Sequence, residues 1–338
     1  MTPIPSALSG RPVTITGLGT CLPERVVTND ELSLTLDTSD EWIAKRTGIR
    51  TRRIADEGVA ASDLGVPAAR QALERARVAA TDVGLVLMAT ISPDNSMPAA
   101  ASRVAHAIGA DNAGACDLSA GCSGFVYALA MATGQVASGL QDHVLVVGAE
   151  VISRILDWED RGTAILFGDA GGAVVVSAAT GGGRILGFEL GTDGSGADLL
   201  SIPAGGSRLP ASHATVDARQ HFIRMKGNEV YRFATRVIPD SVERLLAATG
   251  RSIGEVDLLV PHQANLRIIE AATRKLGIAA DKVCTNLQRY GNTSCASIPL
   301  CLDEALESGR LQAGDLVLLM GFGAGLTWGS CLMEWGGA

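Results

Sequence analysis

One cysteine stands in a setting suited to nucleophilic chemistry. The stretch Asp117-Leu118-Ser119-Ala120-Gly121-Cys122-Ser123-Gly124-Phe125 opens a run from Leu118 to Gln141 without a charged side chain. A thiol at the first turn of a helix meets unpaired N–H groups and the positive end of the helix dipole. That setting favours the thiolate, although a small buried Cys needs no chemistry at all. Two other residue types that support acyl chemistry lie far along the chain. His262 follows Leu258-Leu259-Val260-Pro261, and Asn292 sits between Gly291 and Thr293. Alone, His262 reads as a satisfied structural histidine and Asn292 as a turn or cap residue. A thiol, an imidazole and an amide that converge form a constellation for acyl transfer.

The elements that must position them follow from periodicity. The uncharged run holds Gly121, Gly124, Gly134 and Gly139 beside Ser119, Ser123, Thr133 and Ser138. A membrane-spanning helix would be dominated by large apolar side chains, so Leu118–Gly139 reads as a core helix, apolar on every side. Ser62–Ala80 and Met97–Ile108 read as amphipathic helices, and Val83–Thr90, Ala115–Asp117 and Val144–Gly148 as strands, the longer ones covered on both faces as in a parallel sheet. The alternation implies an α/β architecture. Ser39 or Asp40 caps a helix that places Trp42 and Arg46 on one face. Val13–Gly19 is a strand ending in Gly-x-Gly, but Cys21-Leu22-Pro23 follows where a dinucleotide site needs a helix. Gly181–Arg219 reads as irregular excursions.

The second half of the chain repeats the first. Leu258–His262 matches Leu85–Ala89, Asn292–Gly309 matches Cys122–Gly139, and Leu316–Leu319 matches Val144–Val147, all at offsets of about 170 residues. The expectation is one compact unit of two halves, 1–180 carrying the Cys and 181–338 carrying the His and Asn. Ligands of α/β sheets bind beyond the carboxyl ends of strands. In a duplicated fold those ends share a crevice, and Cys122 and Asn292 occupy equivalent helix starts.

Composition excludes several classes. A formal charge of −8 argues against a dedicated nucleic-acid binder. Seven cysteines without a C-x-x-C pair suggest neither a disulfide framework nor zinc, and free thiols point to a reducing compartment. Met1–Ser6 shows no basic segment followed by an apolar core, so a cytoplasmic location is expected.

The motifs Ala120–Gly124, Val260–Arg267 and Tyr290–Ser294 together resemble β-ketoacyl-acyl-carrier-protein synthase III, a family of thiolase-fold condensing enzymes. Thr38–Arg50, Asp160–Thr163, Met225–Glu229 and Gly321–Gly329 extend the resemblance along essentially the whole chain, in family order. It implies a thiolase-like α/β fold, duplicated halves with central buried helices layered α-β-α-β-α, and transfer of an acyl group from acyl-CoA to Cys122. Condensation with malonyl-acyl-carrier-protein follows, with loss of CO2. His262 and Asn292 would stabilise the decarboxylation step, and the backbone N–H groups of Cys122 and Ala324 would form the oxyanion hole. Many relatives have Gly at the Ala324 position.

Further roles are implied by the same resemblance. Trp42 and Arg161 would sandwich the CoA adenine, with Arg46 near its phosphates and Gly227 and Asn265 along the pantetheine tunnel. Arg232, Arg267, Arg274 and Lys275 would dock the acidic carrier protein. Met97 and Phe322 would shape the acyl pocket, Met97 reaching across a homodimer interface in place of the aromatic residue common there. Cys295 and Cys301 read as packing, and Phe167–Gly172 is similar to the family's glycine turn and reads as structural. No cofactor or metal is implied, because the CoA thioester is itself a substrate, and neither membrane nor nucleic acid is a partner. Two alternatives stay open: a related condensing enzyme or acyltransferase of secondary metabolism, and a non-catalytic partner subunit.

Overall fold

The apolar runs assemble into two sheets of matching strand order in the computed structural model, which describes residues 10–337. Met1–Ser6, read above for a leader segment, lie outside the described residues. The first sheet has the spatial order Val13–Cys21, Ala170–Ala178, His143–Glu150, Leu85–Ala89, Gly114–Leu118. The second runs Arg184–Thr192, Thr327–Glu334, Leu316–Gly323, Leu258–Pro261. Its fifth position is reduced to a single parallel bridge between Leu259 and Val283. The internal repeat is therefore a repeat of sheets.

Both sheets are mixed rather than parallel. His143–Glu150, Leu85–Ala89 and Gly114–Leu118 run parallel, whereas Ala170–Ala178 pairs antiparallel with both of its neighbours. In the second sheet Leu316–Gly323 turns back directly into Thr327–Glu334. So short a connection joins only antiparallel neighbours. Two expectations fail at this level. The turn read at Phe167–Gly172 leads straight into a strand, and the segment read as irregular holds the nine-residue strand Arg184–Thr192. Glycines at 187 and 191 weaken that strand's own signal, and it is its partner Thr327–Glu334 that organises it.

Helix Gly124–Ala137 packs on strands of both sheets, and Ser297–Glu307 does the same. Phe125, Val126, Ala128, Leu129, Ala132 and Val136 are fully buried, as a helix between two sheets requires. Ala61–Ala76 and Ala100–Ile108 cover the outer face of the first sheet. Gly227–Thr249 covers the second, with Leu266–Leu276 packed against it. The result is five layers, α-β-α-β-α. Among the described residues no helix is long and apolar enough to cross a membrane.

Both central helices begin later than periodicity suggests. Asp117 and Leu118 belong to a strand, Gly121 turns the chain at φ +54°, and the helix starts at Gly124. In the second half a short 3-10 turn, Ser294–Ala296, intervenes before Ser297. Cys122 and Asn292 therefore lie in the turns before the helices. The helix expected from Met97 likewise begins at Ala100, where the Asp117 carboxylate accepts from the N–H groups of Ala100 and Ala101, both at 2.8 Å.

The first sheet touches the turn at 294–296 with no side chain between them. A Cβ on Gly148 would fall 2.3 Å from the carbonyl oxygen of Cys295. Because the obstacle is main chain, Gly148→Ala is expected to destabilise the fold by about 2 kcal/mol or more. Urea unfolding monitored by circular dichroism checks this, with the midpoint falling and the slope unchanged.

Candidate active site

Three turns from separate parts of the chain meet at one cavity of about 450 Å³, lined among others by Cys122, His262, Asn292, Phe322 and Gly323. His262 ends the strand Leu258–Pro261, and its N–H donates to the carbonyl of Met320 at 2.7 Å. The edge of its ring meets Phe322, with 5.3 Å between centroids. Asn292 is held from both sides: its N–H donates to Leu166 O at 2.8 Å, and its carbonyl accepts from Gly168 N at 3.0 Å. Its side-chain Oδ1 accepts from Ser294 N at 2.9 Å, which leaves the Nδ2 donors for the cavity.

Backbone from the two halves closes on the thiol. A Cβ on Gly323 would stand 2.3 Å from Cys122 N, and one on Gly121 would stand 2.6 Å from Ala324 N. The main-chain N–H groups of Cys122 and Ala324 have no carbonyl partner among the loop hydrogen bonds of the described residues. Ala324 is not among the residues with positive φ, so its Cβ brings no backbone strain.

The thiol itself corrects the expected thiolate. Burial pushes Cys122 up to about 12, against the opposing pull of the Ser294 hydroxyl and its own backbone N–H. Its place before the helix, rather than in the first turn, also weakens the dipole's hold. Burial likewise depresses His262 to about 3, so the imidazole is neutral. A neutral thiol beside a neutral imidazole is what burial dictates.

Towards the mouth, the cavity is lined by Trp42, Arg46, Met225, Gly227, Tyr231, Asn265 and Arg267. Ser39 caps the helix Asp40–Thr47, and the Arg46 guanidinium sits 4.4 Å from the Trp42 ring centroid. The Arg161 guanidinium lies 4.7 Å from the same ring and pairs with Asp37 at 3.4 Å. Asn265 caps Leu266–Leu276, accepting from Arg267 N, while its Nδ2 donates to Arg46 O at 3.1 Å. A Cβ on Gly227 would meet only the end of Met225, so a larger residue there narrows the cavity without straining the fold.

The remaining expected residues separate. Arg232, Arg267, Arg274 and Lys275 are exposed on two packed helices, Lys275 being paired with Asp240 at 3.2 Å. Met97, at 86% exposure, does not line the cavity of its own chain, whereas Phe322 is buried in its wall.

Comparison with known proteins follows this geometry. The family model described as 3-oxoacyl-[acyl-carrier-protein] synthase III matches residues 116–194, and the model for its C-terminal part matches 246–335. A beta-ketoacyl-[acyl-carrier-protein] synthase III of Symbiobacterium thermophilum is 51% identical, covering 96% of this chain and 99% of the relative. The chain belongs to the synthase III family.

Its members are condensing acyltransferases, and the architecture is the thiolase fold. The solved synthase III of Thermus thermophilus is 47% identical with a TM-score of 0.90, covering 96% of this chain and 99% of that one. The priming beta-ketosynthase of the R1128 polyketide pathway is 35% identical with a TM-score of 0.88, over 100% of this chain and 99% of that one.

Three residues of this synthase III chain escaped sequence reasoning. Ser294 orients Asn292 through its N–H, and Ser297 Oγ lies 2.7 Å from His262 Nδ1. Both follow Asn292 closely, so the only available signal was the run Asn-Thr-Ser-x-x-Ser. Glu150, fully buried at the end of its strand, accepts from Thr90 Oγ1, Ile91 N, Ser92 N and Ser92 Oγ. No local pattern marks it.

Two expectations follow from these protonation states. Alkylation of Cys122 by iodoacetamide should accelerate about tenfold per pH unit through and beyond pH 9, with no plateau near neutrality. Stopped-time mass spectrometry measures it. Between about pH 6.5 and pH 3 the unfolded chain binds a proton at His262 that the folded chain refuses, so this group's contribution to stability falls as pH falls. His262→Asn removes that component, and urea titrations across the window should show the wild-type advantage shrinking with acidity.

Proposed function

We propose that this chain initiates fatty acid synthesis in two steps. An acyl group passes from acyl-CoA to Cys122, and the acyl-enzyme condenses with malonyl-acyl-carrier-protein, losing CO2, to give the 3-oxoacyl-acyl-carrier-protein. The observation that carries the reading is the meeting of Cys122, His262 and Asn292 on one cavity that runs out to Trp42 and Arg46.

Each step uses groups suited to it. A sulfur nucleophile is also a competent leaving group, as thioester exchange demands. The oxyanion of each tetrahedral intermediate is bound by the N–H groups of Cys122 and Ala324. Loss of CO2 places charge on the malonyl thioester oxygen, and the Asn292 amide and His262 imidazole stabilise it in a site of low dielectric. Outside the core, Trp42 and Arg161 take the CoA adenine between them, which requires the guanidinium to move off the ring it now covers. Arg46 meets the phosphates, and Gly227 and Asn265 border the pantetheine arm.

Arg232, Arg267, Arg274 and Lys275 form a basic face for the acidic carrier protein, on an enzyme of net charge −8. Phe322 and the partner's copy of Met97 bound the acyl group in a homodimer. A flexible thioether at that position admits primers other than those an aromatic ring accepts. The reaction calls for no cofactor, and the setting is cytoplasmic.

Intact-mass analysis after incubation with a panel of short acyl-CoAs tests the reading. One acyl mass should appear on the wild type and none on Cys122→Ala, and added malonyl-carrier-protein should convert it to 3-oxoacyl-carrier-protein. The preferred primer separates fatty acid initiation from the priming of secondary metabolites. Failure of every acyl-CoA to give product overturns the proposal.

A further inference from the structure

Ser123 stands at the cap position of helix Gly124–Ala137, yet its side chain makes no cap hydrogen bond. A serine there ordinarily accepts from the first turn. This hydroxyl, on a fully buried residue, instead lies 2.7 Å from the carbonyl oxygen of Ala120 and 2.8 Å from Thr327 Oγ1. Thr327 opens the strand Thr327–Glu334, where it pairs with Gly323 on one side and Thr192 on the other. Its Oγ1 lies 2.7 Å from Ala120 O and 2.9 Å from Ala324 O. Neither carbonyl has a backbone donor among the loop hydrogen bonds of the described residues. A carbonyl only accepts, so both rely on hydrogens from the two hydroxyls.

These carbonyls adjoin the two donors of the oxyanion hole. Ala120 O belongs to the peptide just before the one that carries the Cys122 N–H, and Ala324 O to the residue whose own N–H is the second donor. Glycines at 121 and 323 let the two turns touch. Close contact limits how near the turns come, whereas hydrogen bonds, which weaken steeply off line, fix how they are turned. We propose that Ser123 and Thr327 are positioning residues that hold the Cys122 and Ala324 N–H groups at the separation and angle an oxyanion requires. The proposal rests on the two-step reading above. Thr327 has the larger share, since its side chain alone among the described residues reaches a carbonyl from each half.

The two half-reactions separate this role from general support of the fold. An oxyanion forms on the acyl carbonyl when the Cys122 sulfur adds to it, and again when the enolate carbon does. Loss of CO2 places charge on a different oxygen, that of the malonyl thioester, beside His262 and Asn292. A displaced oxyanion hole therefore slows acyl transfer and spares decarboxylation.

Thr327→Val keeps the branched shape and removes the hydroxyl. Acyl transfer from acetyl-CoA to Cys122, followed by intact mass in stopped-time samples, should slow about 10- to 100-fold, with the half-saturating acetyl-CoA concentration within about threefold of wild type. Thr327→Ser should restore the rate to within about threefold. CO2 release from malonyl-carrier-protein, read in the Cys122→Ala background where no acyl group is needed, should change by less than about threefold when Thr327→Val is added. Crystal structures without substrate read the geometry directly. The separation of Cys122 N from Ala324 N should widen by about 0.5 Å or more in Thr327→Val and hold in Thr327→Ser. Ser123→Ala, at a position without a cap bond, carries the same test if Thr327→Val does not fold, with a slowing of about 3- to 10-fold. An unchanged acylation rate, an equal loss of CO2 release, no restoration by serine, or slowed acylation with the two nitrogens unmoved overturns the proposal. Absence of acylation in the wild type sinks the two-step reading instead, while the separation of the two nitrogens still decides the positioning.

Discussion

The site depends on main chain meeting main chain where the two halves of the molecule join. Gly323 abuts Cys122 N, Gly121 abuts Ala324 N, and Gly148 abuts the carbonyl of Cys295, each so closely that a methyl group has no room. That approach brings close to one thiol two N–H groups from opposite halves that have no carbonyl partner among the loop hydrogen bonds of the described residues. It also explains why both central helices start late. The chain must turn at Gly121, and again through Ser294–Ala296, before either helix can enter the space between the sheets.

Burial then sets the electrostatics. Cys122 is 5% exposed and His262 1% exposed, so charge on the thiol or the imidazole is unfavourable at rest. The working groups are neutral and are oriented by hydrogen bonds to fixed main chain and to two serines. The neighbouring acid, Glu150, is held among donors from Thr90, Ile91 and Ser92, where it ties the end of one strand to the loop that follows another. Charge appears in the reaction only as it develops, which is where fixed dipoles in a dry site act most strongly.

The rim follows the opposite rule. Trp42 has the guanidinium groups of Arg46 and Arg161 at 4.4 Å and 4.7 Å from its ring centroid, and both arginines are exposed. The Asn265 cap links the Leu266–Leu276 helix to the carbonyl of Arg46, and so joins the wall of the cavity to its charged mouth. A neutral interior and a cationic entrance suit a long anionic ligand whose reactive end must be placed accurately.

Much of this was legible locally. The repeat at offsets of about 170 residues, the Ser39 cap, and Trp42 and Arg46 four residues apart are properties of neighbouring residues, and periodicity alone reports them. The resemblance of the three motifs to synthase III likewise needed only residue types in order. What the sequence could not set was anything decided by distant partners. Arg184–Thr192 is a strand because Thr327–Glu334 lies beside it. Cys122 is a thiol because two sheets and a second half of the chain exclude water from it. His262 Nδ1 meets the hydroxyl of a serine 35 residues away. Hydrophobic period is written within a few turns of chain, whereas burial and proton placement belong to the packed whole, and the opening cysteine gained both only when the halves closed around it.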